Sequence, residues 1–130
     1  MTRLAAGFAL VLFLLIVLAD TRNLGPLLAV YDFPYGDKIS HVVLYGGLTL
    51  IAALAAVRSS TREPLRAVLL VSAVMVLLVS LEELSQFAFP ARRPDLLDLV
   101  ASYAGIAWFG ALALVIAEVQ RATRAPQRIA

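Results

Sequence analysis

The chain has 130 residues, 62% of them hydrophobic and 15% charged, where soluble domains run at about 45–50% and about 25%. So short a chain with so few polar residues cannot cover a core in water; disorder and collagen-like or low-complexity architecture are excluded by the same numbers. Without cysteine there is no disulfide, thiolate metal site or cysteine nucleophile, and a net charge of +2 is too small for a nucleic-acid footprint. The composition is that of an integral membrane protein.

Charges divide the chain into apolar runs that predict four transmembrane helices, about 4–20, 38–57, 65–89 and 95–119. The first run lies between Arg3 and Asp20. It is slightly short for a span of about 17–25 residues. Val17 and Ala19 also have the spacing of a signal-peptidase site; a retained helix is preferred because cleavage would leave three spans. Residues 20–37 hold the helix breakers Gly25, Pro26, Pro34 and Gly36, with Tyr31, Phe33 and Tyr35 suited to a membrane interface. The second run lies between Lys38 and Arg58, and Pro64 is placed to open the third. The third reaches full length only if Glu82, Glu83 and Gln86 lie inside the helix. Pro90 stops it, and Pro94 with Asp95 starts the fourth. Residues 1–120 read as one all-α domain, a four-helix bundle, and 121–130 as a polar cytoplasmic tail.

Basic residues give the orientation. Arg3, Arg58, Arg62, Arg66, Arg121, Arg124 and Arg128 fall on one side; Arg22, Lys38, Arg92 and Arg93 fall on the other. Both termini are expected in the cytoplasm. The outer end is then acidic, carrying Asp20, Asp32, Asp37, Glu82, Glu83, Asp95 and Asp98.

Three helix ends contribute to that side. Lys38, His41 and Tyr45 share one face of the second helix, with Asp37 a turn before His41; each residue alone would also serve as an interfacial anchor. Glu83 lies about 25 Å along the third helix from Arg66, within a hydrocarbon core of about 30 Å. A carboxylate there must be paired, protonated or wet. Adjacent Glu82 and Glu83 point about 100° apart and are not expected to share a partner. In the fourth helix, Asp95, Asp98, Ser102 and Gly105 form one stripe. Its small residues Ala101, Ser102 and Gly105 suit contact with the second helix at Gly46 and Gly47. Arg92 is expected to fold back across Pro90 and pair with Glu83. The candidate polar pocket therefore comprises Asp37, Lys38, His41, Tyr45, Glu83, Gln86, Arg92, Asp95, Asp98 and Ser102.

The ordered set Asp37-Lys38-x-x-His41-x-x-x-Tyr45, Glu83-x-x-Gln86 and Arg92-x-x-Asp95-x-x-Asp98 resembles the VanZ-like family of small bacterial membrane proteins. The resemblance covers roughly residues 37–105. Where the family usually has Asn after the last aspartate this chain has Ser102, which keeps a hydrogen-bonding group but loses the amide's paired donor and acceptor. The resemblance implies the bacterial cytoplasmic membrane and an accessory role in the cell envelope or in antibiotic resistance linked to teicoplanin.

Three functions follow as expectations. The first is an outward-facing polar pocket binding an envelope component or a glycopeptide-type antibiotic, with Lys38 and Arg92 meeting anionic groups. The second is a hydrolase or transferase on a lipid-linked envelope precursor, with His41 as general base. No phosphate loop or serine elbow supports it. The third is a structural helical partner in a larger complex. The expected partners are the lipid bilayer, the envelope precursor or antibiotic, and a further copy of the chain forming a homo-oligomer. Neither nucleic acid nor a cofactor is expected, and a metal on His41 and the carboxylates lacks a ligand-spacing signature.

Overall fold

The computed structural model describes residues 7, 34–59, 63–88 and 94–124. The chain divides into two compact units, Met1–Gly36 and Asp37–Ala130. In the first unit Gly7 is helical and exposed; the rest of the expected span 4–20, and with it the cleavage site, lies outside the described residues. The elements among the described residues are all helical: α1 is Gly36–Ser59, α2 is Pro64–Ser85, a single 3₁₀ turn covers Gln86–Ala88, and α3 is Leu96–Arg124. All three α-helices are long and apolar enough to cross a membrane. They correspond to the second, third and fourth expected spans.

The boundaries have local causes. Pro64 occupies the first turn of α2, where its missing N–H removes no helical bond. The third span was expected to run to 89, but regular α-helix stops at Ser85. There the Gln86 N–H bonds Glu83 O, three residues back, and the Ser85 hydroxyl takes Glu82 O at 2.6 Å. Such short-range bonds tighten the end of the helix into a 3₁₀ turn. At the other extreme, residues 121–124 were read as tail, yet α3 continues to Arg124. Arg121 donates from both terminal nitrogens to Glu63, at 2.8 and 3.4 Å, and so ties the last turn of α3 to the start of α2.

Packing follows stripes at helical spacing. On α2 the buried residues include Val68, Met75, Val79 and Glu83; on α3 they are Ser102, Gly105, Ile106, Gly110, Ala113 and Ala117. Ala53, Val68 and Ala113, one from each helix, form the centre of the apolar core. Outside these stripes Leu69, Leu70, Leu77, Leu81, Trp108 and Val115 are exposed. A soluble bundle would hide most of such an apolar surface, whereas it is the right surface for contact with lipid.

Small residues bring α1 against α3, with a register that differs from the expected one. Gly105 lies on the backbone of Val42: an added Cβ would strike Val42 O and come within 2.9 Å of its Cα. Gly46 instead makes room for the Phe109 ring, and Gly47 has nothing within 4 Å. The glycines thus do not face one another. Gly105 takes the Val42 backbone and Gly46 takes the Phe109 ring.

Candidate functional site

The ends of α1, α2 and α3 that meet at Lys38 carry a continuous polar network. Lys38 Nζ lies 2.6 Å from Asp37 Oδ2, 2.6 Å from Asp95 Oδ2 and 2.6 Å from Asp98 Oδ1. Two of these contacts, to Asp37 and Asp95, are hydrogen bonds from the ammonium. The Asp98 contact is ionic in character, since its angles fall outside hydrogen-bond geometry although Oδ1 is buried. In this arrangement Lys38 is engaged by three aspartates of its own chain. Asp37, Asp95 and Asp98 could between them hold a metal ion, but the ammonium now stands among them.

Asp95 joins the branches. Its Oδ1 accepts from the Leu97 N–H at 2.8 Å and caps α3, while its own N–H donates to Glu83 Oε1 at 2.7 Å. Glu83 is buried at 6% exposure, and its other oxygen accepts from Gln86 Nε2 at 3.1 Å. Both oxygens of this deep carboxylate therefore have N–H partners, Oε1 at the start of α3 and Oε2 at the end of α2. Gln86 Nε2 also donates to Glu82 Oε1 at 3.2 Å. The two adjacent glutamates do share a partner, contrary to expectation, because one amide nitrogen with two hydrogens sits between them. Arg92, the partner expected for Glu83, lies outside the described residues.

The second branch runs through His41. Ser102 Oγ donates to Asp98 O at 2.8 Å and stands 3.0 Å from His41 Nδ1. His41 Nε2 lies 3.9 Å from Asp98 Oδ2. Its ring lies tilted against Tyr45, with centroids 5.7 Å apart. The Tyr45 hydroxyl donates to Glu82 Oε2 at 3.2 Å.

Nine of the ten sequence-predicted residues are described, and all nine belong to this network: Asp37, Lys38, His41, Tyr45, Glu83, Gln86, Asp95, Asp98 and Ser102. Glu82 was left out of the candidate set, although its position four residues before Gln86 was the available signal. The Ser80–Tyr103 hydroxyl contact at 2.7 Å was also missed; two isolated hydroxyls on different apolar runs leave no mark in the sequence.

The Lys38 ammonium holds the Asp95 carboxyl below its ordinary value of 3.8. A carboxyl depressed in the folded state stabilises the fold above its unfolded pKa, and that contribution is lost as pH falls through the lower folded value. Thermal unfolding in detergent should therefore show a loss of stability below about pH 4. Asp95→Asn should flatten that acid limb while lowering stability at neutral pH.

No protein-family model, no curated protein and no solved structure matches the chain. The assignment of function rests on the residues themselves.

Proposed function

We propose that this chain is a VanZ-like protein of the bacterial cytoplasmic membrane, with four spans, both termini in the cytoplasm and a polar site at its outer end. The site binds an envelope component or a glycopeptide-type antibiotic in an accessory resistance or envelope role. The observation that carries this reading is the meeting of an ordered motif set, drawn from three helices, in one hydrogen-bonded network. Among the described residues, five carboxyl groups, from Asp37, Glu82, Glu83, Asp95 and Asp98, stand there against one lysine and one histidine. With Lys38 engaged by three aspartates, these described side chains offer acceptors in excess, which suits a ligand that presents amide N–H or ammonium groups.

Binding of teicoplanin to the purified protein in detergent, together with the resistance phenotype, tests this. Glu83→Gln is expected to abolish both, and Glu63→Gln at the opposite end is expected to leave both unchanged. If Glu83→Gln and His41→Ala retain the phenotype at normal protein levels, the polar end is an anchor and the structural-partner reading takes its place. A periplasm-dependent reporter should be silent after Ala130 and active near Asp32; the reverse pattern overturns the orientation.

One observation favours the hydrolase or transferase alternative. The His41 imidazole, the residue type most used as a general base, stands between Ser102 Oγ at 3.0 Å and Asp98 Oδ2 at 3.9 Å. Ser102 is fully buried, however, with its proton committed to Asp98 O, so it is not the nucleophile. A converted lipid-linked precursor that disappears on deletion of the gene would select the enzyme; unchanged precursors would select the binder.

A further inference from the structure

The opposite end of the bundle carries a polar concavity that the function proposed above does not use. A pocket of about 340 Å³ opens among the last turn of α1, the start of α2 and the last turn of α3. Val57, Pro64 and Ala117 give it apolar walls, and Arg58, Arg121 and Arg124 supply its charge, with Glu63 the only acidic residue in the lining. Glu63 engages Arg121 and fixes that guanidinium across the opening. Arg58 and Arg124 make no ion pair among the described residues. The pocket therefore carries a net positive charge, with two arginine forks unused.

Its depth in a bilayer follows from helix length. At 1.5 Å per residue, the 29 residues of α3 extend about 43 Å, well beyond a hydrocarbon core of about 30 Å. Exposed apolar side chains continue as far as Val119, so Arg121 and Arg124 emerge at headgroup level. A concavity between helices at that level, apolar toward the core and arginine-lined toward water, matches an amphiphile with an anionic head. Arginine forks suit phosphate oxygens in particular. We propose that this pocket binds the phosphate of an anionic phospholipid, with the lipid's glycerol end against Val57, Pro64 and Ala117.

The test uses the full-length protein in nanodiscs of phosphatidylcholine alone or doped with phosphatidylglycerol, and native mass spectrometry counts the lipids it retains. Wild type is expected to retain phosphatidylglycerol selectively, and Arg58→Gln with Arg124→Gln should reduce that retention roughly thirtyfold. Arg66→Gln, a cation at the same end but outside the pocket lining, should leave it unchanged. Glu63→Gln should raise it by removing the competing carboxylate. If the doubly substituted protein does not assemble, Arg58→Lys with Arg124→Lys keeps the charge, and a reduced retention there reports the fork geometry. Equal losses on Arg66→Gln and on the pocket pair would overturn the proposal in favour of diffuse surface charge. Displacement of the lipid by inorganic phosphate at equal concentration would overturn the lipid in favour of the free anion. Neither result bears on the acidic end, whose test is teicoplanin binding.

Discussion

Lys38→Met should cost about 2–3 kcal/mol, read as a lowered unfolding midpoint of the purified protein in mild detergent. The substitution keeps the apolar stem of the side chain but removes the one cation at which Asp37, Asp95 and Asp98 converge. Removing one partner of a fully buried pair costs about 3–5 kcal/mol, because the remaining charge is left without compensation. Here the Lys38 and Asp98 side chains keep 19% and 20% of their exposure, so water relieves part of the penalty and the lower figure applies. The double variant Lys38→Met with Asp98→Asn should recover part of the loss, since it also removes the most enclosed of the stranded carboxylates. By contrast, Arg121→Met breaks a pair that stands mostly in solvent and should change stability too little to measure. A wild-type midpoint for Lys38→Met would mean that the aspartates are hydrated well enough to stand alone.

Gly105→Ala should be of similar severity, by a different route. The added methyl would strike Val42 O and lie 2.9 Å from Val42 Cα and 3.0 Å from Val42 C. These are backbone atoms of another helix and cannot rotate aside, so α1 and α3 must separate. Overpacking of this kind costs about 1–3 kcal/mol. It should also remove function, because the separation falls one turn from the His41–Ser102 contact. The three glycines make an ordered series. Gly46→Ala meets the Phe109 ring, a side chain that can turn away, and should be milder. Gly47→Ala meets nothing within 4 Å and should be neutral or stabilise by about 0.5–1 kcal/mol through helix propensity. Equal midpoints for the Gly105 and Gly47 variants would remove the close α1–α3 approach.

Three spans and the residues that gather at their ends could be read from the sequence because charges bound each run and because Lys38, His41 and Tyr45 recur at helical spacing. What could not be read depends on contacts between distant parts of the chain. Nothing near Lys38 says that Asp95 and Asp98, some sixty residues on, will close around its ammonium. Gln86 between two glutamates is a matter of rotamers. The extension of α3 to Arg124 sets Arg121 beside Glu63, 58 residues earlier, while local hydropathy alone ends that span sooner. The α1–α3 register misled because small residues were matched with small residues, whereas close packing sets each notch against a projecting group.

The ion cluster at Lys38 also bears on biosynthesis. Lys38 leads α1, but Asp95 lies 57 residues further along the chain. At about 5–20 residues per second, ribosomes need roughly 3–11 s to make up that distance. During that interval α1 exists as a nascent segment with its ammonium held only by the neighbouring Asp37, which supplies a 2.6 Å contact from within the same turn. Asp37 is the one carboxylate of the cluster that is made together with Lys38, and Asp95 and Asp98 follow only with the last helix. Loss of Asp37 would therefore be felt earlier than loss of Asp95 or Asp98: as mis-insertion and degradation of the newborn chain, before any mature protein exists to be destabilised.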